Sequence, residues 1–335
     1  MSRFANEWTS CPVARSTADW GRLGVGRGTL RGGRYDRTAP GFHRGVVDPH
    51  RAPSSTQRIL DSKAAMPDGA LIAGWAAAYV HGIDALDGLD DVTLAPLPVP
   101  VLLPPGHHRA DSVGIRYLQS RRLAQGVVVE DVPVTSLLRT AFDLTRLAPD
   151  LTESVVVLDA FLGARRVKPD TLHRAVERLT GRRGVRQARR AVELARVGVR
   201  STWETRLRMF ALLEVGLTDL EPNRAVFGRA GELIGIPDLL AVDAGLALEY
   251  DGATWRSARA AGHRDREQHR EDNAREERLE RAGLIVVRAE KSDLIRHRAA
   301  LADRIRSAHA DGLTRDRTRD RWTLDEPTGW YGLPA

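Results

Sequence analysis

At 335 residues the chain has room for about two ordinary domains, which excludes a small disulfide-built or fibrous protein. Lys+Arg 51 against Asp+Glu 44 leaves a formal charge of +7, carried almost wholly by arginine because the only lysines are Lys63, Lys168 and Lys291. Cys11, the single cysteine, excludes an internal disulfide and a cysteine-built zinc site, and no run of apolar residues is long enough for a membrane span, so a soluble, cytoplasmic protein with no membrane contact is expected.

In chain order, residues 1–21 show no apolar period and are expected to be poorly ordered. Residues 22–48 place arginines between Tyr35 and Phe42 around the Pro40-Gly41 turn, which suits a hairpin or wing that lays Arg34, Arg37 and Arg44 along a phosphate backbone. A solvated loop whose arginines follow from a GC-rich genome explains the same residues equally well. Past a linker at 48–55, residues 56–198 read as a mostly helical α+β region. Helices are expected over 56–65 and 70–81, the second with Leu71, Trp75, Ala78 and Tyr79 on one face, followed by short strands at 115–118 and 127–134. Further helices are expected over 136–147, 155–162, 169–179 and 185–197, the last two separated by the Gly181-Arg-Arg-Gly184 break.

The chemistry concentrates in residues 199–312. An amphipathic helix over 203–216 starts at Ser201-Thr-Trp-Glu204, a capping box in which Ser201 caps the helix and Glu204 reaches back. Strands are expected over 223–227, 233–240 and 246–251, then a charged helix over 264–281 and a buried strand over 284–288, giving the order α, β, β, β, α, β. Asp238 interrupts the apolar run Ile234 to Leu240, and Glu249 interrupts a strand that begins Leu246-Ala-Leu248. An aspartate or glutamate inside such a run costs free energy unless something binds it. An antiparallel pair can bring the two carboxylates side by side, where they repel unless a cation lies between them. An oxygen-lined site of this kind suits Mg²⁺, and the reaction class that follows is phosphodiester hydrolysis by a metal-activated water. Residues 313–335 form a charged tail of mixed sign, expected to drape over the surface or to be disordered.

Pro237-Asp238 followed by Glu249-Tyr250-Asp251-Gly252, with Glu204 on the preceding helix and His269-Arg-Glu-Asp272-Asn273-Ala-Arg275-Glu276 after it, resembles the PD-(D/E)xK nuclease superfamily, and within it the very-short-patch-repair-endonuclease-like (Vsr-like) branch. Upstream, the Gly41-Phe42-His43-Arg44 hairpin, Ala70 to Gly82 and Val134 to Leu144 resemble AbiEi-type antitoxin proteins of actinobacteria. The resemblance implies a restriction-endonuclease-like C-terminal domain. It implies Asp238, Glu249 and the Tyr250 carbonyl as ligands of Mg²⁺ or Mn²⁺, with Glu204 orienting a water or completing the metal shell. It also implies His269 as an acid/base group, and it sets Asp251 where the superfamily has its lysine and Trp255 where the branch often has a histidine. Arg206, Arg256 and Arg275 are candidates to position the DNA backbone. The expected function is therefore a Mg²⁺-dependent DNA endonuclease. The alternative is an antitoxin-like DNA-binding regulator with an inactive nuclease-like domain, and a second copy of the chain or a toxin- or defence-operon protein is a further partner to consider.

Overall fold

The computed structural model describes residues 2–120, 124–178, 181–252 and 275–330, and the chain divides into two units, Met1–Leu194 and Ala195–Ala335. Both are mixed α/β. No helix among the described residues is long and apolar enough to cross a membrane.

The first unit begins with α1 (Arg3–Glu7), β1 (Arg15–Ser16), α2 (Thr17–Arg22) and α3 (Arg27–Leu30), so its opening residues are not the formless stretch expected from their lack of period. Their order comes from packing at a distance. Phe4 is fully buried and meets the Tyr79 ring edge-on at 6.4 Å, while Ser2 caps α1 through the Ala5 amide. The expected hairpin is present as β2 (Tyr35–Ala39) and β3 (Phe42–Gly45), with β1 added along β3. It lies inside this unit and is not a separate module.

Ser54 caps α4 (Ser55–Ala65) by accepting from the Gln57 amide. Next come β4 (Leu71–Ile72) and α5 (Gly74–Val80), so Leu71 belongs to a strand and not to the helix face proposed from its spacing. β4 is recruited by tertiary pairing: it lies between β5 (Val99–Leu102) and β8 (Val132–Thr135), and β6 (Ile115–Leu118) and β7 (Gly126–Val129) complete a mixed sheet of order β6-β5-β4-β8-β7. Among its helices and strands the region is helical for the most part, as expected, and the sheet adds β4 and β5 to the strands expected over 115–118 and 127–134. Its core joins Ile72, Val101, Val132 and Val134 to Ile59, Trp75 and Tyr79. The helices α6 (Leu137–Leu147), α7 (Leu151–Gly163), α8 (Pro169–Glu177) and α9 (Val185–Leu194) follow as a packed group.

The second unit opens with α10 (Thr202–Phe210), whose last expected turn widens into a π-helical turn over Ala211–Val215 and stops at Gly216, φ 92°. A short strand that the apolar pattern does not announce, β9 (Leu220–Pro222), comes next. The hairpin β10 (Val226–Gly228) and β11 (Leu233–Gly235) is as expected, but the run 233–240 does not continue as one strand. It breaks at Pro237, which has no amide to donate, and resumes as β12 (Leu239–Ala241). β13 (Leu246–Asp251) pairs antiparallel with β12 and parallel with β14 (Ile285–Glu290), giving the sheet β14-β13-β12-β9. After β14 come α11 (Lys291–Ile295) and α12 (Arg298–Thr314). Of the helix expected over 264–281, only 275–281 lies within the described residues, and it is helical there.

Alternation along β13 divides its side chains between two cores. Leu246, Leu248 and Tyr250 join the core built with α10 and α12, which also takes Leu207, Phe210, Leu301 and Ile305. The opposite face carries Ala247, Glu249 and Asp251. On that side Leu240 and Val286 pack with Val226, Ile234 and Leu279 in a second core. Over residues 313–330 the tail lies on the surface, with none of them buried, and is ordered there: β15 (Trp322–Thr323) adds a third strand to the hairpin by pairing with β10, and Trp330 meets Phe227 edge-on at 5.1 Å.

A candidate carboxylate centre

The centre lies at one end of the four-stranded sheet in the second unit. In the β12–β13 register Leu239 faces Leu248, and one further step sets Asp238 opposite Glu249. The parallel register then places Glu249 beside Arg288, and the Asn223 amide donates to the Asp238 carbonyl at 2.9 Å on the other side. Asn223, Asp238, Glu249 and Arg288 thus form one row across four chain segments. Strand pairing, not sequence proximity, assembles it.

Each member is held by specific bonds. One Asp238 oxygen accepts from the Tyr250 amide at 2.8 Å, so the aspartate is tied to β13 next to Glu249. Glu204 is buried: its amide donates to the Ser201 hydroxyl at 3.1 Å, and its carboxylate accepts from the Arg200 amide at 3.0 Å and from Asn223 Nδ2 at 2.8 Å. Only half of the expected capping box is therefore present: Ser201 caps the helix, but the Glu204 carboxylate takes the Arg200 amide and not that of Ser201. The same carboxylate reaches the row through Asn223. Burial pushes the Asp238 carboxyl up from 3.8 to about 7, and the neighbouring Glu204 charge adds to the rise, against smaller opposing effects of the Tyr250 amide, Arg275 and Arg200.

Arginines supply the counter-charge. Arg275 Nη2 lies 2.9 Å from the buried Glu249 carboxylate. Gly235 makes room for it, since a Cβ there would press at 3.3 Å on Arg275 Cγ and on Leu279. Arg288 is ion-paired with Glu276 and lies 3.8 Å from Asp251. On the other face of β13 the Tyr250 ring stacks on Trp203 at 5.5 Å, and the Arg206 guanidinium lies over the same indole at 4.7 Å.

The residues expected from the sequence thus fall into four groups. Asp238 and Glu204 come together, and the strand register sets Glu249 opposite Asp238, with Asp251 one step along the same face as Glu249. The Tyr250 ring and Arg206 lie on the opposite face, while the Tyr250 amide binds Asp238. His269 and Arg256 lie outside the described residues. In the first unit Arg34 and Arg37 are exposed, but Arg44 is buried between Asp36 at 2.8 Å and Asp61 at 3.3 Å, so its expected place on a DNA backbone is corrected to an internal tie between the hairpin and α4.

Asn223, Arg200 and Arg288 were not singled out as part of this centre. Arg288 carried a usable signal, a charge ending the apolar run Leu284 to Val287, by the logic that marked Glu249. Asn223 adopts φ 49°, a conformation asparagine tolerates better than most residues. Among the described residues no three His, Cys, Asp or Glu side chains form a ready metal cage. The donors that do converge are carboxylate oxygens. Compared with known proteins, the chain matches no family model, no curated protein and no solved structure.

Proposed function

We propose that the second unit is a Mg²⁺-dependent DNA endonuclease of the PD-(D/E)xK kind, with a restriction-endonuclease-like arrangement around β12 and β13. The observation that carries this reading is the meeting of Asp238 with Glu204, in register with Glu249, where burial beside another acid holds the Asp238 proton to about pH 7. A site that resists a second negative charge in this way is one that a cation relieves. All-oxygen donors fit Mg²⁺, and Mn²⁺ as a substitute. Asp238, Glu249 and the Tyr250 carbonyl would hold the ion, which when bound supplies the positive charge that phosphodiester hydrolysis needs.

The protein's own groups have separable tasks. Asp238 is fixed by the Tyr250 amide, so its second oxygen is free to turn to a ligand. Glu204, fixed by Asn223 and Arg200, would orient a water or complete the metal shell. Arg275 neutralises Glu249 and must give way, at least in part, when a cation binds there. DNA is the partner of this reading, and a cytoplasmic setting accords with the lone Cys11.

A second reading has its own observation. Arg275 on Glu249 satisfies internally a carboxylate that a nuclease would turn to a metal, and Arg288 lies beside Asp251, which stands where the superfamily has its lysine. On that basis the unit would be an inactive nuclease-like domain of an antitoxin-like, DNA-binding regulator. Supercoiled plasmid incubated with the protein in Mg²⁺, Mn²⁺ or chelator, beside Asp238→Ala and Glu249→Ala, separates the two. Metal-dependent nicking that both substitutions abolish supports the nuclease. Intact plasmid in every lane with folded variants, together with metal-independent binding to a specific duplex, supports the regulator.

A further inference from the structure

The first unit carries a second concentration of charge, remote in sequence from the carboxylate centre. Between α8 and α9 the chain turns through Gly181-Arg182-Arg183-Gly184, and this turn and the start of α9 line a cavity of about 710 Å³. Arg182, Arg183, Arg186 and Arg189 line it with Gln187, and among the described residues no acidic side chain does. Among the described residues, no carboxylate pairs with Arg182, Arg183 or Arg186, and all three are exposed. Like charges gathered in one concavity repel one another, an arrangement that a polyanion relieves and that ordinary stability does not require.

The turn is anchored from beneath, so its arginines are presented on a fixed base. Gln187 Nε2 donates to the Ala148 carbonyl at 2.9 Å and to the Ser154 hydroxyl at 2.7 Å, and Arg146 Nη1 donates to the Arg183 carbonyl at 3.4 Å. Gly184, at φ 79°, packs so tightly that a Cβ would fall 1.9 Å from the Arg146 carbonyl oxygen. Gly181, at φ 67°, has open space above it, so another backbone can approach closely. Val185, Ala188, Ala191 and Val192 hold the inner face of α9 in the core, which leaves the arginine side outward.

We propose that this turn binds the phosphate backbone of a nucleic-acid duplex. Arginine's planar fork matches phosphate oxygens, and backbone contacts of this kind position a duplex without reading its sequence. Among the described residues the lining has no aromatic side chain on which an unpaired base could stack, which favours a duplex over a single strand. The site is independent of the carboxylate centre and of any cleavage there.

The test is fluorescence anisotropy of the full-length protein with a short labelled DNA duplex in chelator, titrated at several salt concentrations. The triple variant Arg182→Gln, Arg183→Gln, Arg186→Gln is expected to bind at least about tenfold more weakly, and its log–log salt slope to fall by about 2 to 3, since each phosphate contact contributes about 0.9. The single variant Arg186→Glu serves as a milder change with the same expected direction, and thermal melts check that each variant is folded. Unchanged affinity and slope in folded variants overturn the proposal, as does no binding of the duplex by the wild type. Equal loss of a single-stranded probe, or full competition by inorganic phosphate alone, also overturns it in favour of a site for another anion.

Discussion

Each unit holds an aspartate raised by desolvation, Asp61 buried and Asp238 half-buried, and the two differ in what lies next to the carboxyl. In the first, Asp61 rises from 3.8 to about 6 because it is buried, and the largest opposing influence is the Arg44 guanidinium. Gln57 Nε2 adds a hydrogen bond at 2.8 Å, so Asp61, Arg44 and Asp36 form a tie that closes on itself. In the second, Asp238 rises to about 7, and the next influence after burial is another carboxylate, Glu204, which pushes the same way. Desolvation is common to both. The neighbour's sign distinguishes a cluster that holds a fold together from one that asks for something to bind.

The comparison breaks if removing the central arginine of the first cluster proves harmless. Arg44→Met leaves Asp61 buried without its cation, and loss of one partner from a buried ion pair costs about 3–5 kcal/mol. Urea unfolding of the variant is expected to show a loss of that size at pH 8, shrinking toward pH 4 as Asp61 takes up a proton.

Asp238→Asn is expected to act in the opposite sense. Because the folded protein holds the Asp238 proton up to about pH 7 and the unfolded chain only to its ordinary 3.8, stability is full below about pH 4 and falls as pH rises to about 7. Replacing the carboxyl removes that loss while an amide oxygen can still accept from the Tyr250 amide. Urea unfolding should therefore show the variant level with the wild type at pH 4 and more stable at pH 8, by on the order of 3 kcal/mol. Mg²⁺ at pH 8 should raise the wild-type midpoint and leave the variant's unmoved. A variant less stable than wild type at pH 8 would place Asp238 with Asp61, as a structural tie.

The sequence made some of this centre legible and hid the rest for a physical reason. Asp238 and Glu249 stood out because each breaks an apolar run, and a buried charge is an anomaly in any local pattern. The Ser201 cap was equally local. What stayed hidden depends on partners far along the chain. Arg44 has the sequence surroundings of a solvent-facing hairpin cation, and it is buried because α4 brings Asp61 to it. β9 is three residues long, and it is a strand because β12 pairs with it. Trp322 sits in a run of alternating charge that reads as solvated, yet it closes the edge of β10. Leu71 fits a helical spacing but is drawn into a sheet by β5 and β8. The strand order and most of the counter-charge around the site belong to this hidden class.

The smallest expected effect makes the sharpest cut, because it separates the two roles of Glu204. Ser201→Ala removes the hydroxyl that accepts from the Glu204 amide, and loss of such a cap costs about 1 kcal/mol. The Glu204 carboxylate keeps its bonds from the Arg200 amide and Asn223, neither of which passes through Ser201. If Glu204 serves the carboxylate centre, Ser201→Ala should lower the urea midpoint slightly and leave the pH dependence of stability between pH 4 and 7 intact. Glu204→Gln should instead flatten that dependence, because it removes the charge that helps hold the Asp238 proton. Equal flattening by both would mean that Glu204 acts only as part of the cap, and that the acid pair in the second unit owes its elevation to burial alone.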